Sequence, residues 1–243
     1  MRRLVMISII IVLLIFPTPA KADIAPPAQP PGSNLQPGTE STQVQMAAET
    51  VLIDVQASAP PKSLGQAHVT ADFTMHNTAN QAESMAVRFP VGASDGFFGL
   101  GNIKDMRVKV GGKAVFTRNI KGEDPNAGSD PVPWAEFNVT FPPGQDVQIQ
   151  VAYTLEASGE YPFCWFKYIL STGAAWKDAI GKADLIVRLP YPPNNQNVLF
   201  NNVEPQNNTP PGGVISGNEI RWHYDELEPT TDNNFKVYLI SKE

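Results

Sequence analysis

The sequence has one cysteine, Cys164, in 243 residues, so no disulfide can form within the chain. Stability must come from buried apolar surface, which a chain of this length can supply. Cys164 lies in the aromatic run Tyr161-Pro-Phe-Cys-Trp-Phe and reads as a small core hydrophobe, because no base stands near it to make it a nucleophile. Charge is scarce too, at 17% of residues with a net value of −6. Without a basic stripe the phosphate-neutralising term of nucleic-acid binding is missing, and so is electrostatic docking on an anionic membrane. Only three histidines occur. His68 and His76 share one strand face but lie about 26 Å apart at ~3.3 Å per residue, too far to share a metal. The motifs Gly-x-Ser-x-Gly, Ser-x-x-Lys and His-Glu-x-x-His are absent, so no covalent or zinc-protease signature is present.

What is plentiful is proline (23) and glycine (18), with 42% hydrophobic residues. Many turns and few helix formers point to an all-β chain. Strand patterns of period two recur at short intervals. Val51 to Val55 is a β-branched run. In His68 to His76, Val69, Ala71, Phe73 and Met75 face one way while Thr70, Asp72 and Thr74 face the other. Met85 to Phe89 follows, and Met106 to Val110 and Lys113 to Thr117 flank the hairpin turn Gly111-Gly112. Ala135 to Phe141 and Val147 to Tyr153 alternate on either side of Pro142-Pro143-Gly144 and are expected to form a second hairpin. These strands predict an immunoglobulin-like β-sandwich over 44–156, without the disulfide and central tryptophan of antibody domains. A smaller β-rich unit is expected over 157–243, from Tyr161 to Leu170, Ala183 to Leu189, a hairpin about Gly217-Asn218 and a last strand at Phe235 to Leu239. A short helical turn is expected at Ala174 to Ile180, and a loop at Tyr191 to Gly213.

The N-terminus reads as an export signal. Arg2 and Arg3 precede an apolar stretch, Leu4 to Phe16, and Ala20-Lys21-Ala22 supplies small residues for cleavage after Ala22. That stretch spans about 20 Å against a ~30 Å hydrocarbon core, too short for an anchor. No cysteine follows it to carry a lipid, and no longer twin-arginine consensus surrounds Arg2-Arg3, so Sec-type export to the periplasm, envelope or exterior is expected. The mature chain then has no transmembrane helix. Residues 23–43 are Pro-rich and lack bulky apolar side chains, the composition of an extended disordered linker.

Candidate sites are few, and each has a plainer reading. The loop Gly92 to Gly101 lacks the Lys and Ser/Thr of a phosphate loop. Its Phe97, Phe98 and Leu100 either form a partner-binding tip or fold back over the end of the sandwich. Asp124, Asn126 and Asp130 place oxygen ligands at spacings suited to calcium, with Glu123 and Glu136 to complete a shell, though the turn glycine is misplaced for an EF-hand. A solvated loop is the alternative, and no other cofactor is expected. His223 alternates with Trp222 and Tyr224 and should face away from them, with Asp225, Glu226 and Glu228 following as a surface cluster or an acid/base site.

The order of short motifs carries a resemblance. Met46-x-x-Glu49-x-Val51-x-Ile53 precedes a strand closing on His76-Asn77 and then Phe89-Pro90. Later come Tyr168-x-Leu170-x-Thr172-Gly173-x-x-Trp176, Ile180-Gly181, Leu189-Pro190-Tyr191, Trp222, Glu228-Pro229-Thr230 and Asp232-Asn233-Asn234. From about Val44 onward the chain resembles a family of uncharacterised secreted bacterial proteins, a domain of unknown function. The resemblance implies a secreted, β-rich protein and brings no catalytic residues. Trp176 and Trp222 then read either as core residues or as the walls of an aromatic cleft. The expectation is a non-catalytic extracytoplasmic module that binds or scaffolds an envelope protein or polymer. The alternative is a hydrolase of glycan or peptide acting through paired carboxylates near Asp225 to Glu228.

Overall fold

The computed structural model describes residues 36–37, 42–57, 64–91, 103–122, 132–168, 170–200, 209–230 and 235–240. Its strands are β1 (Gln36–Pro37), β2 (Val44–Val55), β3 (Gln66–Asn77), β4 (Glu83–Pro90), β5 (Ile103–Val110), β6 (Lys113–Val115), β7 (Arg118–Gly122) and β8 (Val132–Phe141). They continue with β9 (Asp146–Glu156), β10 (Ser158–Glu160), β11 (Phe163–Tyr168), β12 (Ile180–Arg188), β13 (Val214–Ser216), β14 (Glu219–Leu227) and β15 (Phe235–Ile240). A 3-10 turn at Ser171–Ala175 is the one helical element among the described residues. The all-β class expected from the sequence is the class observed.

Alternation builds these strands as the pattern requires. On β3, Val69, Ala71, Phe73 and Met75 are buried while His68 and Asp72 are exposed. Gly111 and Gly112 turn the β5–β6 hairpin with φ of 55° and 77°, values that cost a side chain steric strain. β2 is less regular. Val44 and Met46 point inward, then the register shifts between Met46 and Ala48, and Glu49, Val51, Ile53 and Val55 point inward instead. This β-bulge resets the phase of the strand and is what delivers a carboxylate to the interior. The neighbouring strand accommodates it with Gly181, where a Cβ would stand 2.5 Å from the Ala47 carbonyl oxygen.

The strands form an eight-stranded sheet in the order β13-β14-β12-β2-β3-β9-β5-β6, a four-stranded sheet β1-β4-β8-β7 and a three-stranded sheet β10-β11-β15. All pairings are antiparallel except β12 with β2. One face of the large sheet packs on both smaller ones. Phe89 meets Tyr153 at 5.6 Å between ring centroids, joining the four-stranded sheet to it, and Phe235 meets Trp222 at 4.8 Å, joining the three-stranded sheet. Phe73, Phe89, Phe141, Phe166 and Phe235 are fully buried between the layers, each burial stabilising the fold by about 1.5–3 kcal/mol.

Several expectations shift. The sequence suggests a hairpin about Pro142-Pro143-Gly144, but β8 pairs with β4 and β7 while β9 pairs with β3 and β5, so this turn crosses from one sheet to another. β12 hydrogen-bonds onto β2 and β14 onto β12, so strands on both sides of residue 157 share the large sheet. Hydrophobic period reports which face is buried and not which strand lies alongside. The helical turn expected at Ala174 to Ile180 sits earlier, and Trp176 caps it in an extended conformation. Gln36–Pro37, within the expected free linker, pair with Val87 and Arg88 of β4. Most of that linker and all of the leader lie outside the described residues. Cys164 is buried as expected, and burial pushes its thiol up to about 11.

Candidate functional site

Trp176 and Trp222 are 4% and 2% exposed, so neither offers a face to solvent. Trp176 packs edge-on against Phe141 at 6.1 Å, whereas Trp222 packs against Phe235 and donates its indole N–H to the Pro210 carbonyl at 3.1 Å. Their rings therefore serve the core at separate places, the first of the two readings above. Phe97, Phe98 and Leu100 lie outside the described residues, as do Asp124, Asn126 and Asp130. Glu136 is described, and its carboxylate is taken up by Arg88 at 2.9 Å and by Arg118. Those hydrogen bonds, Arg118 first, hold it below the usual carboxylate range against the opposing pull of burial.

His223 faces outward on the large sheet, as its alternation with Trp222 requires. Nδ1 contacts Asp184 at 2.7 Å and Nε2 contacts Asp225 at 3.3 Å. Asp184 above all raises the affinity of the ring for a second proton. In its protonated form the ring would donate to both carboxylates and keep no lone pair for a metal or a substrate proton. Asp225, Glu226 and Glu228 are all exposed. Other cations on this face also stand opposite acids, Arg188 across from Glu219 and Lys182 across from Asp225. Among the described residues no group of three or more His, Cys, Asp or Glu side chains is placed to hold a metal ion.

Inside the fold, Glu49 is 1% exposed and accepts a 2.6 Å hydrogen bond from the Tyr168 hydroxyl. Tyr153 is buried in the same neighbourhood, and its hydroxyl has no hydrogen-bond partner among the described residues. Burial first, and then the nearby Glu49 carboxylate, push both phenols well above the ordinary tyrosine value, so both stay protonated. The sequence carried a signal for this knot. Glu49 shares its parity with Val51, Ile53 and Val55, the phase of a buried position.

The outer face of the three-stranded sheet differs from that of the large sheet. Trp165 stands opposite Tyr238, and Lys167 stands opposite Lys236. The Lys236 ammonium lies 4.4 Å from the Tyr238 ring centroid and 5.4 Å from that of Trp165, a cation–π contact with both. Burial, reinforced by Lys167, lowers the Lys236 amine to about 8. Phe163, 49% exposed, continues the row on β11. Gly159 on β10 lets this row lie flat, since a Cβ there would come within 2.9 Å of the Trp165 ring and 2.4 Å of the Phe163 carbonyl. Single-strand parity puts Trp165, Lys167 and Lys236 outward, but their meeting depends on a pairing the sequence does not announce.

No family model matches the chain, and no curated protein matches it. A solved structure from Legionella pneumophila, described as a candidate nutrient binding protein, is similar with a TM-score of 0.72 and 23% identity, over 88% of this chain and 72% of that one. The likeness is one of fold. An M1 zinc metallopeptidase from Deinococcus radiodurans reaches a TM-score of only 0.37 at 8% identity, over 82% of this chain and 42% of that one. Among the described residues no helix is long and apolar enough to cross a membrane.

Proposed function

We propose that this protein is an extracytoplasmic, non-catalytic module that binds or scaffolds a cell-envelope protein or polymer. The observation that carries this reading is the row of Phe163, Trp165, Lys167 and Lys236 on the outer face of β11 and β15. A core does not need these side chains there, and strands hold them more rigidly than loops would. The interior supports the reading, because Trp176 and Trp222 fill it instead of lining a cleft. The acids after His223 stand on an open sheet face, without the enclosed pair of carboxyls that glycoside hydrolysis uses. The description of the Legionella structure as a nutrient binder agrees with a binding role. The leader removed after Ala22 would deliver the module, leaving Asp23 as its first residue.

The test is co-sedimentation of the purified chain with isolated bacterial envelopes, with release of reducing sugar and free amines followed in the same tubes. Saturable sedimentation without release is the expected result. Release of either product above the envelope blank would favour the carboxylate hydrolase and sink this reading, as would a chain that stays in the supernatant. N-terminal sequencing of the chain from the extracytoplasmic fraction should begin at Asp23.

A further inference from the structure

Six of the 18 Lys and Arg residues fall within 103–122, the span of β5, β6 and β7, together with a single acid, Asp105. The β5 end of the large sheet gathers three of them on one face. Thr154, Ala152 and Gln150 of β9 pair with His68, Thr70 and Asp72, the outward column of β3. Beside them on β5 stand Lys104, Arg107 and Lys109. Strict alternation would not align these three. The register shift between Lys104 and Arg107, with Asp105 at a φ of 53°, resets the phase and turns all three to the outer face. At the β14 end of the same sheet cations stand opposite acids, as in Lys182–Asp225 and Arg188–Glu219, whereas here β9 offers only neutral side chains. Lys104 reaches along the sheet to Glu156. Among the described residues Arg107, Lys109 and Lys113 form no ion pair. On the edge strand β6, Ala114 lies opposite Lys109, and two residues on Phe116 is 90% exposed, the most exposed large hydrophobic among the described residues.

We propose that this corner of the large sheet is a peripheral docking surface for an anionic phospholipid bilayer. Arg107, Lys109 and Lys113 meet the lipid phosphates, and the Phe116 ring enters the boundary between headgroups and acyl chains. The net charge of −6 argues against such docking by the chain as a whole, but salt limits the reach of each charge to ~8 Å. The side chains nearest the surface therefore decide the contact. Phe116 stands out from the sheet margin and does not line a recess. A protein partner would need a pocket shaped to this ring, whereas a bilayer takes in a protruding ring anywhere on its surface and removes it from water. This inference goes beyond the binding role proposed above and uses none of its residues.

The experiment is co-sedimentation of the chain from the extracytoplasmic fraction with phosphatidylglycerol or phosphatidylcholine vesicles at low salt, beside a titration with soluble polyaspartate. Phosphatidylglycerol vesicles should bind at least about tenfold more tightly than phosphatidylcholine vesicles, and added salt should release the chain. Lys109→Gln should lose about fivefold, the effect of one cation near an anionic surface, and Lys109→Arg should restore it. Phe116→Ser should lose about tenfold on vesicles, as the apolar contact of the ring is removed, with polyaspartate binding unchanged. All three variants should keep the melting temperature of the parent, since each alters an exposed side chain. Equal binding to the two lipids, or an unchanged affinity in Lys109→Gln, would overturn the proposal. Full vesicle binding by Phe116→Ser would overturn it too, and with tight polyaspartate binding would make the patch a site for an acidic protein. Lipid-extracted envelopes read the binding role alone, so failure of either proposal is seen separately from failure of the other.

Discussion

Replacing Tyr168 by phenylalanine removes one oxygen from the interior and tests how the three-stranded sheet is tied to β2. The Tyr168 hydroxyl donates to Glu49 at 2.6 Å with both side chains out of contact with water, and its raised pKa keeps the proton on the donor throughout the accessible pH range. Removing the donor of a buried hydrogen bond while its acceptor stays in place costs about 1–3 kcal/mol. We expect Tyr168→Phe to cost about 2–3 kcal/mol, or about 4–12 °C in melting temperature for a chain of this size. Urea denaturation of the parent, Tyr168→Phe, Glu49→Gln and the double variant forms a cycle that isolates the pair. Glu49→Gln keeps an oxygen acceptor and should cost less than Tyr168→Phe. A coupling energy of about 1 kcal/mol or more is expected. A cost for Tyr168→Phe below about 0.5 kcal/mol, the level of a neutral surface change, would refute the argument that this bond fastens the sheets.

Gly181→Ala should destabilise by about 1–3 kcal/mol, because the added Cβ would press on the Ala47 backbone, and differential scanning calorimetry reads the loss. Glu136→Gln should be costly at neutral pH and nearly neutral in acid. The arginines lower the folded-state pKa of Glu136, so its contribution is present above the unfolded value of about 4.3 and vanishes as pH falls through the folded one. Urea midpoints of parent and variant should converge towards about pH 3. Lys236 gives a slope of the same sign in a different window. Its folded value of about 8 lies below the unfolded ~10.4, so the unfolded chain holds more protons in between and stability should rise across that window, a rise that Lys236→Gln abolishes.

The faces of the strands were legible in the sequence, and of their neighbours only the tight hairpins about Gly111-Gly112 and Gly217-Asn218 were. β3, β8 and β9 follow clean alternation and appear where period two places them. β2 shows the limit. Only Val51 to Val55 stands out, because Met46-Ala-Ala-Glu49 contains the bulge and breaks the alternation that would extend the strand back to Val44. β7 escaped notice because Arg118 to Gly122 is a mostly polar edge strand with no alternation to read. The two tryptophans drew attention as large aromatics, yet hydropathy cannot tell a ring that fills a core from one that lines a cleft. Lys236 was invisible as a site for a different reason. A lysine at an outward position is ordinary, and it becomes unusual only when the partner strand sets another lysine across from it.

The parallel pairing of β12 with β2 also governs the order in which the molecule can be assembled. A strand whose first residue is Val44 waits for one that begins at Ile180, so during synthesis the middle of the large sheet has a bare edge until most of the polypeptide exists. Such long-range closure slows folding and exposes hydrogen-bonding groups to other nascent chains. A fragment ending at Glu156 would inherit that edge permanently, with Leu52 and its neighbours offered to any extended strand in solution.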